Sequence, residues 1–136
     1  MNKIKIVESE PLITQMDIRT FENNFNKELP ENYKQLLLKF NGGLESEGDR
    51  LLDTLYSLKY GNNTVEVAVK IHQILEKNIP LAFLPIGNTG TGNERTLCIE
   101  GDDLGKIFLF RHDELLPDLV ANSLEELFGV NHIDEL

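Results

Sequence analysis

Apolar residues recur at helical spacing in four stretches of the chain, and two of its last-third segments are short apolar runs bounded by turn residues. The first periodic stretch begins at Thr14. Thr14 and Asp17 have the spacing of a capping box, and Ile13 and Ile18 that of a hydrophobic staple across it. Ile18, Phe21 and Phe25 continue one stripe, which predicts a helix ending near Asn26. A second helix opens at Pro30, a residue suited to the first helical position. Its face is Tyr33, Leu36, Leu37 and Phe40, and Gly42 or Gly43 offers a left-handed stop. Residues 44–50, LESEGDR, read as an acidic turn, and LLDTLYSLKY as one or two strands ending at Gly61.

A third helix is predicted over 64–77, capped by Asn63 with Glu66, with Val65, Ala68, Val69, His72 and Leu75 on its inner face. LAFLPI, between Pro80 and Pro85, reads as a short strand. RTLCIE and KIFLFRH follow as strands joined by GDDLG, a turn by its Gly and Asp content. Both faces of IFLF are apolar, so that strand is predicted to be central and covered on both sides. Ser123 and Glu126 cap a last helix, with Leu124, Leu127 and Phe128 inward and Gly129 as its stop. The order predicts an α+β fold, an antiparallel β-meander flanked by about four α-helices, as a single domain over 1–136.

Composition narrows the function classes. Hydrophobic residues are 40% and charged residues 26% of the 136-residue chain, an ordinary globular balance. The N-terminal MNKIKIVESEP breaks its apolar run with charge at once, and no stretch approaches a membrane span. The single cysteine, Cys98, has no internal partner, which fits a reducing, cytoplasmic setting. Asp and Glu number 23 against 13 Lys and Arg, a net charge of −10. That field disfavours nucleic acid and anionic membranes and favours a basic partner.

The candidate chemistry is sparse. GNTGTGN, residues 87–93, lacks the Lys-Ser/Thr ending and following helix of a phosphate loop, and reads as a hairpin connection. Glu100, Asp102, Asp103, Asp113 and Glu114 cluster in sequence but have no calcium-loop spacing. His72, His112 and His132 are scattered, and Cys98 lies among apolar neighbours as a core thiol would. No catalytic, cofactor-binding or metal-binding residue is assigned.

Phe21-Glu22, Leu29-Pro30, Tyr33 and Asn41-Gly42-Gly43, followed by the Leu-Pro-Ile strand, the Gly-Asn loop of 84–93 and the hairpin of 97–112, resemble the SUKH superfamily. That group includes the Smi/Knr cell-wall-assembly regulators and many bacterial immunity proteins. Many members have a Trp in the final strand, where Phe110 stands here. The resemblance implies a non-enzymatic immunity protein that binds a cognate polymorphic toxin, often a nuclease, without a cofactor. A cytoplasmic regulatory scaffold is the alternative. Recognition is expected on loops held by the scaffold: Glu45, Glu47 and Asp49; Asn88, Asn93 and Glu94; Asp102 and Asp103.

Overall fold

The computed structural model describes residues 4–47, 50–114 and 116–136. Among them are seven strands: β1 (Ile4–Val7), β2 (Gly43–Glu47), β3 (Arg50–Leu55), β4 (Phe83–Asn88), β5 (Glu94–Cys98), β6 (Ile107–Phe110) and β7 (Asp118–Ala121). They form one antiparallel sheet whose spatial order is their order along the chain. Helices α1 (Gln15–Phe25) and α2 (Glu31–Lys39) lie between β1 and β2. Helix α3 (Val65–Val69) lies between β3 and β4, and α4 (Leu124–Phe128) follows β7. This is the α+β arrangement the sequence predicts, with β1 and β7 added at the two edges and β2 in place of the expected acidic turn.

Local signals hold where they are short-range. The Thr14 hydroxyl accepts from the Asp17 amide and the Asp17 carboxylate accepts from the Thr14 amide, while Asn26 closes α1 in the left-handed conformation. Ser123 caps α4 and Gly129 ends it at φ 69°. Pro30 is the N-cap of α2 rather than its first residue.

The stop of α2 differs from the prediction. The helix ends at Lys39 and Phe40 is already extended, so the glycines do not terminate it. They turn the chain into β2 instead. Asn41, wholly buried, ties that turn down: its amide donates to the carbonyls of Pro11 and Leu58, and its side-chain oxygen accepts from the Leu58 amide at 2.7 Å.

The third helix also departs. Thr64, not Asn63, is its cap, and Glu66 reaches back to the Lys59 amide. After Val69 the helix widens into a π-helical turn, Lys70–Leu75. The wider winding brings Gln73 inward, where it donates to the carbonyls of Pro80 and Phe83 at 2.9 and 2.7 Å. The helical phase is lost as a result, and Leu75 faces outward with 66% exposure.

One cluster of buried side chains joins sheet and helices, including Ile18, Phe21, Tyr33, Leu36, Val65, Leu84, Leu97, Ile107 and Leu124. The strand covered on both sides is β5, buried at all five positions, and not IFLF, which is half-buried from Phe108 onward. The two differ in position: β6 pairs with the edge strand β7, whereas β5 lies one strand further into the sheet. Among the described residues no helix is long and apolar enough to cross a membrane.

Candidate functional site

Strand register decides which predicted residues meet. Thr54 pairs with Asn88, Asn88 with Glu94 and Glu94 with Phe110, so these four form a row across the sheet. Beyond that row lie the end of β2, the β4–β5 hairpin of 89–93 and the segment after β6. Glu47, Asn88, Asn93 and Glu94 therefore share one end of the sheet. Asp102 and Asp103, exposed in the β5–β6 turn, occupy the opposite end. Asp49 lies outside the described residues. The acidic residues Asp113 and Glu114 are likewise separated from Glu100, Asp102 and Asp103 by the length of β6. Among the described residues no group of three or more His, Cys, Asp or Glu is placed to hold a metal ion.

Exposure corrects the loop expectation at three positions. Residues 44–47 are strand rather than a projecting acidic turn, and Glu45 is 3% exposed. Asn93 and Glu94 are also buried. Each has an internal partner that a single sequence does not display. Of the remaining candidates, Glu47 and Asn88 are half-buried.

Glu94 and Arg95 are consecutive in β5, so their side chains leave opposite faces of the sheet. Arg95 forms a bidentate pair with Glu45 through its two terminal nitrogens, and Nη1 also reaches Asp53 Oδ2 at 3.3 Å. On the other face the Tyr56 hydroxyl donates to Glu94 Oε1 at 2.7 Å, and Asn88 donates to the Tyr56 oxygen at 3.2 Å. His72 Nε2 stands 3.4 Å from Glu94 Oε1. Nearby, Asn93 Oδ1 accepts from the His112 amide and lies 3.0 Å from its Nδ1.

Burial raises the Glu94 carboxyl above its ordinary range; the Tyr56 hydrogen bond and the His72 ring oppose that rise. Burial, then the Glu94 charge, pushes the Tyr56 phenol above its ordinary range, so Tyr56 stays a donor. A carboxyl raised on folding binds its proton more tightly in the native state. Its ionisation therefore subtracts stability as pH rises from the ordinary value of 4.5 through the raised one. Glu94→Gln removes that loss, so its melting temperature relative to the native chain should rise as pH climbs above the ordinary carboxyl value of 4.5. Parallel thermal melts from below that value to above it check this, and a relative fall with pH would show that the fold favours the carboxylate.

A groove of about 360 Å³ opens over this face, lined by His72, Lys77, Glu94, Phe110, Arg111 and His112 among others. Phe110 holds one wall through an edge-on contact with Phe83. The hairpin at its side satisfies its own amides: Thr89 N donates to Asn93 O, Gly92 N to Thr89 O and Asn93 N to Thr89 Oγ1. It is the hairpin connection expected from GNTGTGN. Cys98 is buried at the far end of β5, its thiol directed to the Glu100 carbonyl. The groove offers hydrogen-bonding and ionic contacts to a polar surface.

Residues 12–129 match the SMI1 / KNR4 family (SUKH-1). The chain is also similar to the SPbeta prophage-derived uncharacterized protein YokK of Bacillus subtilis (strain 168). The two are 29% identical over an alignment covering 90% of this chain and 76% of that protein.

Proposed function

The chain belongs to the SMI1 / KNR4 family (SUKH-1), which includes immunity proteins, and from that premise we propose that it neutralises a cognate toxin by stoichiometric binding, without catalysis. The observation that carries this reading is the pairing of its inner polar groups. Glu94 is held by Tyr56 and His72, Arg95 by Glu45 and Asp53, and Asn93 by His112. These groups are committed to one another, which suits a rigid binding scaffold better than a reaction site. The net charge of −10 favours a basic toxin, such as a nuclease, and an electrostatically steered encounter. On this reading the chain acts in the cytoplasm and uses no cofactor. A prophage-derived relative supports a gene of mobile-element type.

Steering falls to the solvent-facing acids, Asp102 and Asp103 among them, with Glu47 at the other end of the sheet, where the neutral Asn88 can offer only a hydrogen-bonding contact. The test is to express the reading frame directly upstream of this gene with and without the chain. The expected result is a toxic product whose growth arrest the chain relieves. The family's cell-wall-assembly regulators supply a second reading, a regulatory scaffold with several moderate partners. A non-toxic neighbour and several co-purifying proteins would favour it over neutralisation.

A further inference from the structure

Residues 65–75 have the pattern of one helical winding and fold in another. Val65, Ala68, Val69, His72 and Leu75 keep the spacing of a continuous α-helix with one inner face. The chain leaves that phase at Lys70, and the Glu76 amide donates to the Ile71 carbonyl, five residues back, at 2.9 Å. Two side chains exchange roles as a result. Gln73 is buried against the sheet, whereas Leu75 faces solvent. Glutamine and leucine are similar in size, so either side chain fills the space that Gln73 occupies.

The π winding leaves polar atoms unsatisfied. The Gln73 side-chain nitrogen donates to the Pro80 and Phe83 carbonyls, but among the described residues its Oε1, sealed from solvent, has no hydrogen-bond partner. His72 Nδ1 is also sealed and unbonded, 3.6 Å from Glu76 Oε1. Unpaired buried atoms cost free energy, and a leucine left in water forgoes its burial. The two Gln73 hydrogen bonds oppose these terms and are of the same order. The exit from the turn has room to adjust. Residues 76–80 form an exposed connection apart from Ile79, and Lys77 within it has φ 55°, a left-handed conformation uncommon for a residue with a side chain.

We propose that residues 70–77 are a two-state element, in which the π-helical turn exchanges with an α-helical winding that buries Leu75 and releases Gln73 to solvent. The residue gained by the tighter winding passes into the connection of 76–79. Both neighbouring grooves feel the change. His72 and Lys77 line the groove over Glu94, and Val69 and Ile74 line another, of about 740 Å³, beside Phe25 and Leu81. One rewinding therefore reshapes two surfaces together, and a partner that prefers one winding draws the population to it. The exchange belongs to the free chain and does not depend on a toxin.

The test is a double-variant cycle on Gln73→Lys and Leu75→Lys. Lysine at 73 excludes the π winding, which would bury its ammonium, and lysine at 75 excludes the α winding for the same reason. With both windings open to the native chain, each single variant keeps a cooperative melt. Leu75→Lys should melt with the native chain, and Gln73→Lys no more than about 10 °C below it. The double variant has no acceptable winding and should melt roughly 10 °C or more below the sum of the single effects. Additive effects overturn the two-state element. Amide relaxation measurements on the native chain give the second readout. Residues 70–79 should show μs–ms exchange, and Leu75→Lys should abolish it. Exchange that is absent, or that persists in Leu75→Lys, overturns the element too. Should Gln73→Lys fail to fold, that comparison decides alone.

Discussion

Arg95→Leu is expected to lower unfolding stability by about 3–5 kcal/mol, the cost of leaving buried charge without its partner. Arg95 and Glu45 have side chains only 4% and 3% exposed, so no solvent replaces the lost guanidinium. Asp53, at 34%, recovers some hydration and contributes less. A small domain has about 5–15 kcal/mol in total, so the loss is a large fraction of it. Replacing Glu45 by Leu in the same chain removes the orphaned carboxylate and should recover most of the loss. Urea unfolding of the native, single and double variants measures both effects. A single variant as stable as the native chain would show that this pair is not closed in solution.

The second large effect is expected at the turn into β2. Gly42 has φ 71° and Gly43 φ 133°, both conformations that favour glycine. A Cβ on Gly43 would lie 2.5 Å from the Val7 carbonyl oxygen, and one on Gly42 would lie 2.7 Å from the Ser57 amide nitrogen. Both obstacles are backbone and cannot rotate away. Gly43→Val must either distort the turn or push β1 off β2. With a left-handed cost of ~1–2 kcal/mol and overpacking of ~1–3 kcal/mol, each valine variant should lose about 2 kcal/mol or more. Thermal melts report this directly. Unchanged melting in both variants would mean that the turn has another conformation.

Much of the fold is legible in the sequence because its signals are local. Thr14 with Asp17, Ser123 before α4 and Gly129 after it act within one helical turn, so spacing alone reveals them. What spacing does not reveal is the long-range demand on a residue. Gln73 serves carbonyls at Pro80 and Phe83, and that demand, absent from the periodicity of 65–75, converts the helix to a π turn. Strands β1, β2 and β7 lack the unbroken apolar run that marks the similarly short β6, since Lys5, the acids of β2 and Asp118 interrupt them.

The candidate site was half legible for the same reason. Glu45 looked like part of an acidic turn because its partner, Arg95, is fifty residues away. A signal was present on the other side: Arg95 opens RTLCIE, an otherwise uncharged run up to Glu100, and a cation in a covered strand requires a buried carboxylate. Tyr56, His72 and His112 were missed as partners of Glu94 and Asn93 because they come from the end of β3, the π-helical turn and the segment after β6, a meeting that no short motif records. Placing Lys at Glu45 would set two cations together in the interior, so it tests folding rather than partner recognition.

Neutralisation by capture is tested most directly by titrating the chain into the purified toxin encoded beside its gene, while following complex formation and toxin activity together. The predicted result is a one-to-one complex, with activity lost in step with its formation and association slowed by added salt. Full toxin activity in the presence of a molar excess of folded chain would contradict it.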